Sequence, residues 1–152
     1  MKKTISWGAI IGCAAVIFYL SNQPAAVSKE LSGQVKSIIE GVIQLMKGTS
    51  DEPVVISHNT LRKTAHYLIY LVLGFLLMIV LMKEGKNLNR FFIVVLMSAL
   101  FACTDELHQQ FILGRSGELR DVLIDTLGAA TGGLVLLGIV NITRSIKEKS
   151  SL

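Results

Sequence analysis

His66, Asp105, Glu106 and Asp125 are ionisable side chains set inside or at the ends of long apolar runs. In a bilayer such groups are costly: insertion scales give about 2.5–3.5 kcal/mol for an aspartate at mid-helix, and less toward the interface. They are therefore expected to face a protein interior or a water-filled cleft and to pair with one another. An imidazole beside a carboxylate is adequate for proton transfer, so His66, Asp105 and Glu106 are the candidate catalytic residues. Arg62, Lys63, Arg115 and Arg120 are the available cations, and arginine matches phosphate or carboxylate bidentately. Together with His108, Gln109, Asp121 and Asp125 they form the candidate ligand-binding set. His66, Asp105, His108 and Asp125 are also metal-ligand types, but their convergence depends on tertiary placement, so no metal site is assigned and no cofactor is named. There is no P-loop, nucleophile elbow or zincin motif, and His58 reads as an exposed loop residue with no role.

The spacings favour convergence within each helix. Arg62, His66 and Tyr70 recur every four residues; Asp105, His108 and Gln109 stand at i, i+3 and i+4. Asp121 and Asp125 share a face that continues through Gly128 and Gly132, a glycine pair that permits close helix approach. Between these segments runs FILGRSGELR, in which Gly114, Ser116 and Gly117 supply a turn and backbone amides near Gly117 are potential anion donors. Counting from Arg90 at about 1.5 Å per residue, Asp105 lies roughly 22 Å up a hydrocarbon core of about 30 Å. Asp125 lies roughly 7 Å inward from Arg120 on the same count, and His66 one turn inside Arg62. Three segments thus place ionisable groups at one depth. An outward-opening polar pocket is one reading; a structural ion-pair network at the helix ends is the other.

The elements that position these groups follow from hydropathy. The chain has 152 residues, enough for one domain spanning 1–152; 51% are hydrophobic and 17% charged. Mean hydropathy is +0.57. Four apolar runs, at about 4–21, 63–83, 90–110 and 121–143, predict an all-α integral membrane bundle of four transmembrane helices. The first could instead be a secretory signal peptide, but its length and Pro24 favour a retained helix. Between the first two spans, in segment 22–61, Val27, Leu31, Val35, Ile38, Val42 and Leu45 follow helical spacing. They predict an amphipathic helix on the outer leaflet or capping the bundle, or an ordinary solvated helix packed on it. Asp51, Glu52 and Pro53 break that pattern, and Ser57 or Asn59 is placed to cap the second span.

The net charge of +4 does not imply nucleic acid, because the basic residues flank apolar segments and form no stripe interleaved with aromatics. Cys13 and Cys103 lie in apolar runs without metal-site spacing and read as small buried hydrophobes. Eight basic residues fall in three short segments on one side: Lys2, Lys3, Lys83, Lys86, Arg90, Arg144, Lys147 and Lys149. Of the seven on the other side, five lie in or beside the long segment 22–61. Both termini are therefore expected in the cytoplasm.

The block Arg62-Lys63-Thr64-Ala65-His66 running into Tyr70, with Asp105-Glu106-Leu107-His108-Gln109, Gly114-Arg115, and Asp121 through Asp125 to Gly128 and Gly132, resembles the VanZ-like family across all four spans. The resemblance implies a small multi-pass protein of the bacterial cell membrane. The family is named for a protein that raises resistance to teicoplanin, a lipoglycopeptide acting outside the membrane. It implies that Arg62, Lys63, His66, Asp105, Glu106, Gln109, Arg115 and Asp121 belong to the shared pattern. Relatives often carry Pro where this chain has Leu113, and Asn where it has Asp125. The implied partners are membrane lipids and a lipid-linked cell-wall precursor or lipoglycopeptide. A non-catalytic binding or scaffold protein and a small lipid transporter, the latter acting as a homo-oligomer, are the rival readings.

Overall fold

The computed structural model describes residues 2–47, 56–82 and 87–150. Among them are five helices: α1 (Lys2–Ser21), α2 (Ala25–Lys47), α3 (His58–Leu81), α4 (Leu88–Gln109) and α5 (Leu119–Lys149). α3, α4 and α5 are each long and apolar enough to cross a membrane, and α1 and α2, a pair bent by 109°, make a fourth candidate span if the pair is counted as one. At 20 residues, α1 spans about 30 Å by itself. The chain is thus an all-α membrane bundle. Its lipid-type surface is plain on α4, where Phe92, Leu96 and Leu100 are exposed, and on α5, where Leu123, Leu127 and Leu134 are.

The helices run close to the predicted spans, with two differences. α3 begins at His58, five residues before the predicted Lys63, because Ser57 caps it by accepting the Asn59 amide at 3.3 Å. α5 continues to Lys149, six residues beyond the predicted Thr143, since its polar last turns remain good helix formers and hold Lys147 and Lys149 at the negative end of the helix dipole. The predicted break at Asp51, Glu52 and Pro53 and the basic turn at Lys83 and Lys86 lie outside the described residues.

α3 and α5 make the most intimate pair. A methyl group added at Gly132 would stand 2.0 Å from the Leu71 carbonyl oxygen, at Gly128 2.3 Å from that of Tyr67, and at Gly74 2.1 Å from that of Ala129. The backbones therefore touch, as small residues allow where no hydrophobic effect drives helices together. Tyr67 donates to Thr131 Oγ1 at 2.9 Å across the same seam. α4 covers one side, with Val94, Ser98 and Ala102 buried and Phe91 beside Gly133. α1 covers the other, burying Ile10 and Ile17, with Cys13 donating to the Ile69 carbonyl at 3.7 Å. Cys13 is half-buried as a small hydrophobe would be, whereas Cys103 is exposed on the apolar surface of α4.

α2 departs from α1 at 109° and so lies nearly across the end of the bundle. Its apolar stripe remains open: Val27, Leu31, Val35, Ile38, Val42 and Leu45 are all exposed. That pattern is the one expected of a helix lying in an interface rather than a solvated helix with its apolar face packed away. Polar contacts hold it to the start of α3: Ser32 Oγ lies 3.0 Å from His58 Nδ1, and the Ile56 amide donates to Glu40 at 3.0 Å. His58 is therefore a helix-start residue that fastens α2, which its loop-like surroundings in sequence conceal.

Candidate functional site

α1 and α4 end, and α3 and α5 begin, at one end of the bundle, the polar end. Here α3 and α5 face each other as a ladder of ionic pairs. Lys63 contacts both Glu118, at 3.1 Å, and Asp121. Arg62 reaches Asp121 at 3.5 Å and donates to Asn59 at 3.2 Å. One turn deeper, His66 Nδ1 stands 3.5 Å from Asp125 Oδ2. The i, i+4 spacing on each helix, with the glycine seam just beneath, makes this register possible.

α4 adds Asp105, Glu106 and Gln109, all buried. Asp105 accepts from Ser21 Oγ at 2.7 Å, which ties the end of α1 to α4. Gln109 is the hub. Its amide nitrogen lies 3.3 Å from Asp105, 3.2 Å from Glu106 and 3.4 Å from Ser21 Oγ. Its carbonyl oxygen accepts from Arg115 at 3.2 Å. A guanidinium has only donors, so the Gln109 oxygen must face it and the amide must face the acids. Arg115 also donates to the Leu20 carbonyl at 3.1 Å, capping the negative end of α1. Burial, and next the charge of Arg62, push the Arg115 guanidinium below its usual range, while Asp105 and Glu106 act the other way.

The turn that carries Arg115 depends on Gly114, whose φ of +75° is left-handed. Leu113 uses its carbonyl to accept the Ala25 amide at 3.2 Å, so the turn is pinned to the α1–α2 corner. Gly117 lies against the end of α4, where an added methyl would stand 2.4 Å from the Glu106 carbonyl oxygen.

The three segments do converge. One ligand-type atom each from His66, Asp105 and Asp125 lies within 4.8 Å of the others, although no metal site was assigned from sequence. Asp125 is fully buried, and neither of its carboxylate oxygens accepts a hydrogen bond. Other candidate groups are placed differently. His108 turns away from this centre toward the end of α1, stacking on Phe18 at 4.9 Å and lying 3.3 Å from Asn22 Oδ1. Arg120 is exposed on the first turn of α5 and does not join the group. Glu106 is a strut: one carboxylate oxygen accepts from Gln109 and the other from the Glu118 amide at 2.9 Å. That same bond consumes the amide beside Gly117 that was expected to face an anion.

Beside the centre, a groove of about 380 Å³ opens between α2, α3 and the end of α1. Leu20, Leu31, Val35, Ile39, Leu61 and Leu68 make its walls apolar, and Arg62, His66 and Arg115 bring cationic or titratable groups to it. Reasoning from sequence missed α2 as a wall of this groove, and missed Ser21 and Glu118 as partners. Ser21 stands at the end of an apolar run and reads there as a span boundary.

Replacing Gln109 with leucine is expected to cost about 2 kcal/mol, because it leaves Asp105, Glu106 and Arg115 each short of a buried partner. Thermal unfolding in detergent checks it, with faster proteolysis at the α1–α2 corner as a second readout.

The chain matches no curated protein and no solved structure. A family model described as VanZ/LLP1 matches residues 6–141, which takes in α1 through most of α5 and every residue of the ionic ladder. With nearly the whole helical bundle inside that match, the chain belongs to the VanZ/LLP1 family.

Proposed function

We propose that this protein lowers susceptibility to teicoplanin-type glycopeptides by holding a lipid-like or lipid-linked anionic ligand in the groove beside α2. In this reading it sits in a bacterial cell membrane with both termini in the cytoplasm and the polar end outside, where such antibiotics and the lipid-linked cell-wall precursors meet. The observation that carries the reading is the groove itself: about 380 Å³ with largely apolar walls, lined also by Arg62, His66 and Arg115. Arginine pairs bidentately with phosphate or carboxylate, and the apolar walls suit a tail. The open apolar stripe of α2 supports the same assignment, since a helix lying in the leaflet gives a lipid lateral entry.

Binding without turnover is favoured over catalysis by one feature: Asp105 and Glu106 are both engaged in internal hydrogen bonds. Of the proposed proton carriers only His66 lines the groove. Arg62 and Arg115 therefore hold the head, and Arg120, which is not part of the lining, has no role in it.

In a susceptible host, the double change R62A/R115A at unchanged protein level is expected to return teicoplanin susceptibility to that of cells lacking the protein. H108A and R120A are expected to leave protection intact. Full protection in the double variant would refute the assignment of the head group. Purified protein that retains an anionic lipid without altering it supports the binder; chemical turnover of the lipid supports an enzyme.

A further inference from the structure

We propose that His66, Asp105 and Asp125 bind a divalent transition-metal ion at the centre of the polar end. The three come from α3, α4 and α5, and offer one nitrogen and two carboxylate oxygens whose ligand atoms are no more than 4.8 Å apart. Ligand atoms around a tetrahedral ion at about 2.1 Å stand about 3.4 Å apart. The His66–Asp125 separation of 3.5 Å already has that spacing, and the Asp105 oxygen lies no more than 4.8 Å from either of the other ligand atoms.

Two independent features point to a missing partner. Asp125 is 0% exposed, yet neither carboxylate oxygen has a hydrogen bond. Tyr70, one turn below His66, is also 0% exposed, and its hydroxyl has no partner either. Buried carboxylates are ordinarily paired or on a metal. No neighbouring Lys or Arg pairs with either acid: Arg62 contacts Asp121, Lys63 contacts Asp121 and Glu118, and Arg115 donates to Gln109 and the Leu20 carbonyl. Among the described residues, only His66 stands within ion-pair distance of either aspartate. A divalent ion would neutralise both acids. One imidazole with two carboxylates suits a borderline ion such as Zn²⁺, and three protein ligands leave a position open.

Ser21 supports the arrangement from outside, since its donation to Asp105 at 2.7 Å orients that carboxylate. Because His66 also lines the groove, the ion would sit next to the proposed head-group position. The metal site rests on the buried trio alone, so metal uptake without lipid binding, or the converse, separates the two readings.

The test uses the full chain in detergent with H58A and H108A, which removes the other two histidines. After EDTA treatment and desalting, Zn²⁺ is titrated by calorimetry and bound metal measured by elemental analysis. One equivalent per chain is expected, lost on adding Asp125→Asn or His66→Gln. Co²⁺ in place of Zn²⁺ is expected to give visible ligand-field bands that both changes abolish. No uptake by folded H58A/H108A protein, or equal uptake with and without Asp125→Asn, overturns the site. Should Asp125→Asn fail to accumulate, the His66→Gln comparison decides in the same way.

Discussion

Gly132→Ala is expected to destabilise the bundle by about 3 kcal/mol, and Gly132→Leu to prevent its assembly. The added methyl would stand 2.0 Å from the Leu71 carbonyl oxygen and 2.9 Å from the Phe75 nitrogen, both backbone atoms of α3. No rotamer change relieves such a clash, so the two helices must separate. Separation also pulls Gly128 off Tyr67 and Gly74 off Ala129, and breaks the Tyr67–Thr131 hydrogen bond. It misaligns the ladder above, because Lys63 and His66 meet Asp121 and Asp125 only at this helix distance. Gly138 on the same helix has nothing within 4 Å. Gly138→Ala should therefore leave stability unchanged or raise it slightly, as alanine is the better helix former. Thermal unfolding of the purified variants in one detergent checks both. Equal melting temperatures for Gly132→Ala and Gly138→Ala would show that the backbones do not touch there.

The second large effect concerns His66. Its removal leaves Asp125 fully buried without a counter-group, and breaking one side of a buried pair costs about 3 kcal/mol. His66→Leu is therefore expected to be strongly destabilising. His66→Leu combined with Asp125→Leu should recover most of that loss, since two apolar groups replace the pair and nothing polar is stranded. The measurement is a double-mutant cycle of unfolding free energies in EDTA, which reads the side-chain pair alone. Additive effects in the cycle would mean that His66 and Asp125 do not interact. Function is expected to behave differently: the double variant regains stability but recovers neither metal uptake nor any activity that needs His66 at the groove.

Much of this was legible from residue order. Apolar runs located the membrane helices, because a bilayer leaves a segment no alternative to an uncharged helix of the right length. The period of Val27, Leu31, Val35, Ile38 and Val42 identified α2 as amphipathic, and its stripe is indeed open in the fold. Gly128 and Gly132 announced a close approach, and counting rises along the helices set His66, Asp105 and Asp125 at one depth. All of these depend on position along a helix axis, which local sequence specifies.

Only the tertiary structure decided which groups at that depth meet. At about 100° per residue, Gln109 and His108 lie some 40° and 60° to opposite sides of Asp105. Sequence treats them as equals; the place of α1 makes Gln109 the buried hub and leaves His108 stacked on Phe18. Arg115 and Arg120 both looked like anion binders, and the left-handed turn at Gly114 sends one to Gln109 and the Leu20 carbonyl while the other stays exposed. Rotation about an axis, and the choice of neighbour, are set by contacts between segments distant in the chain. No local pattern carries them, and the site is built from them.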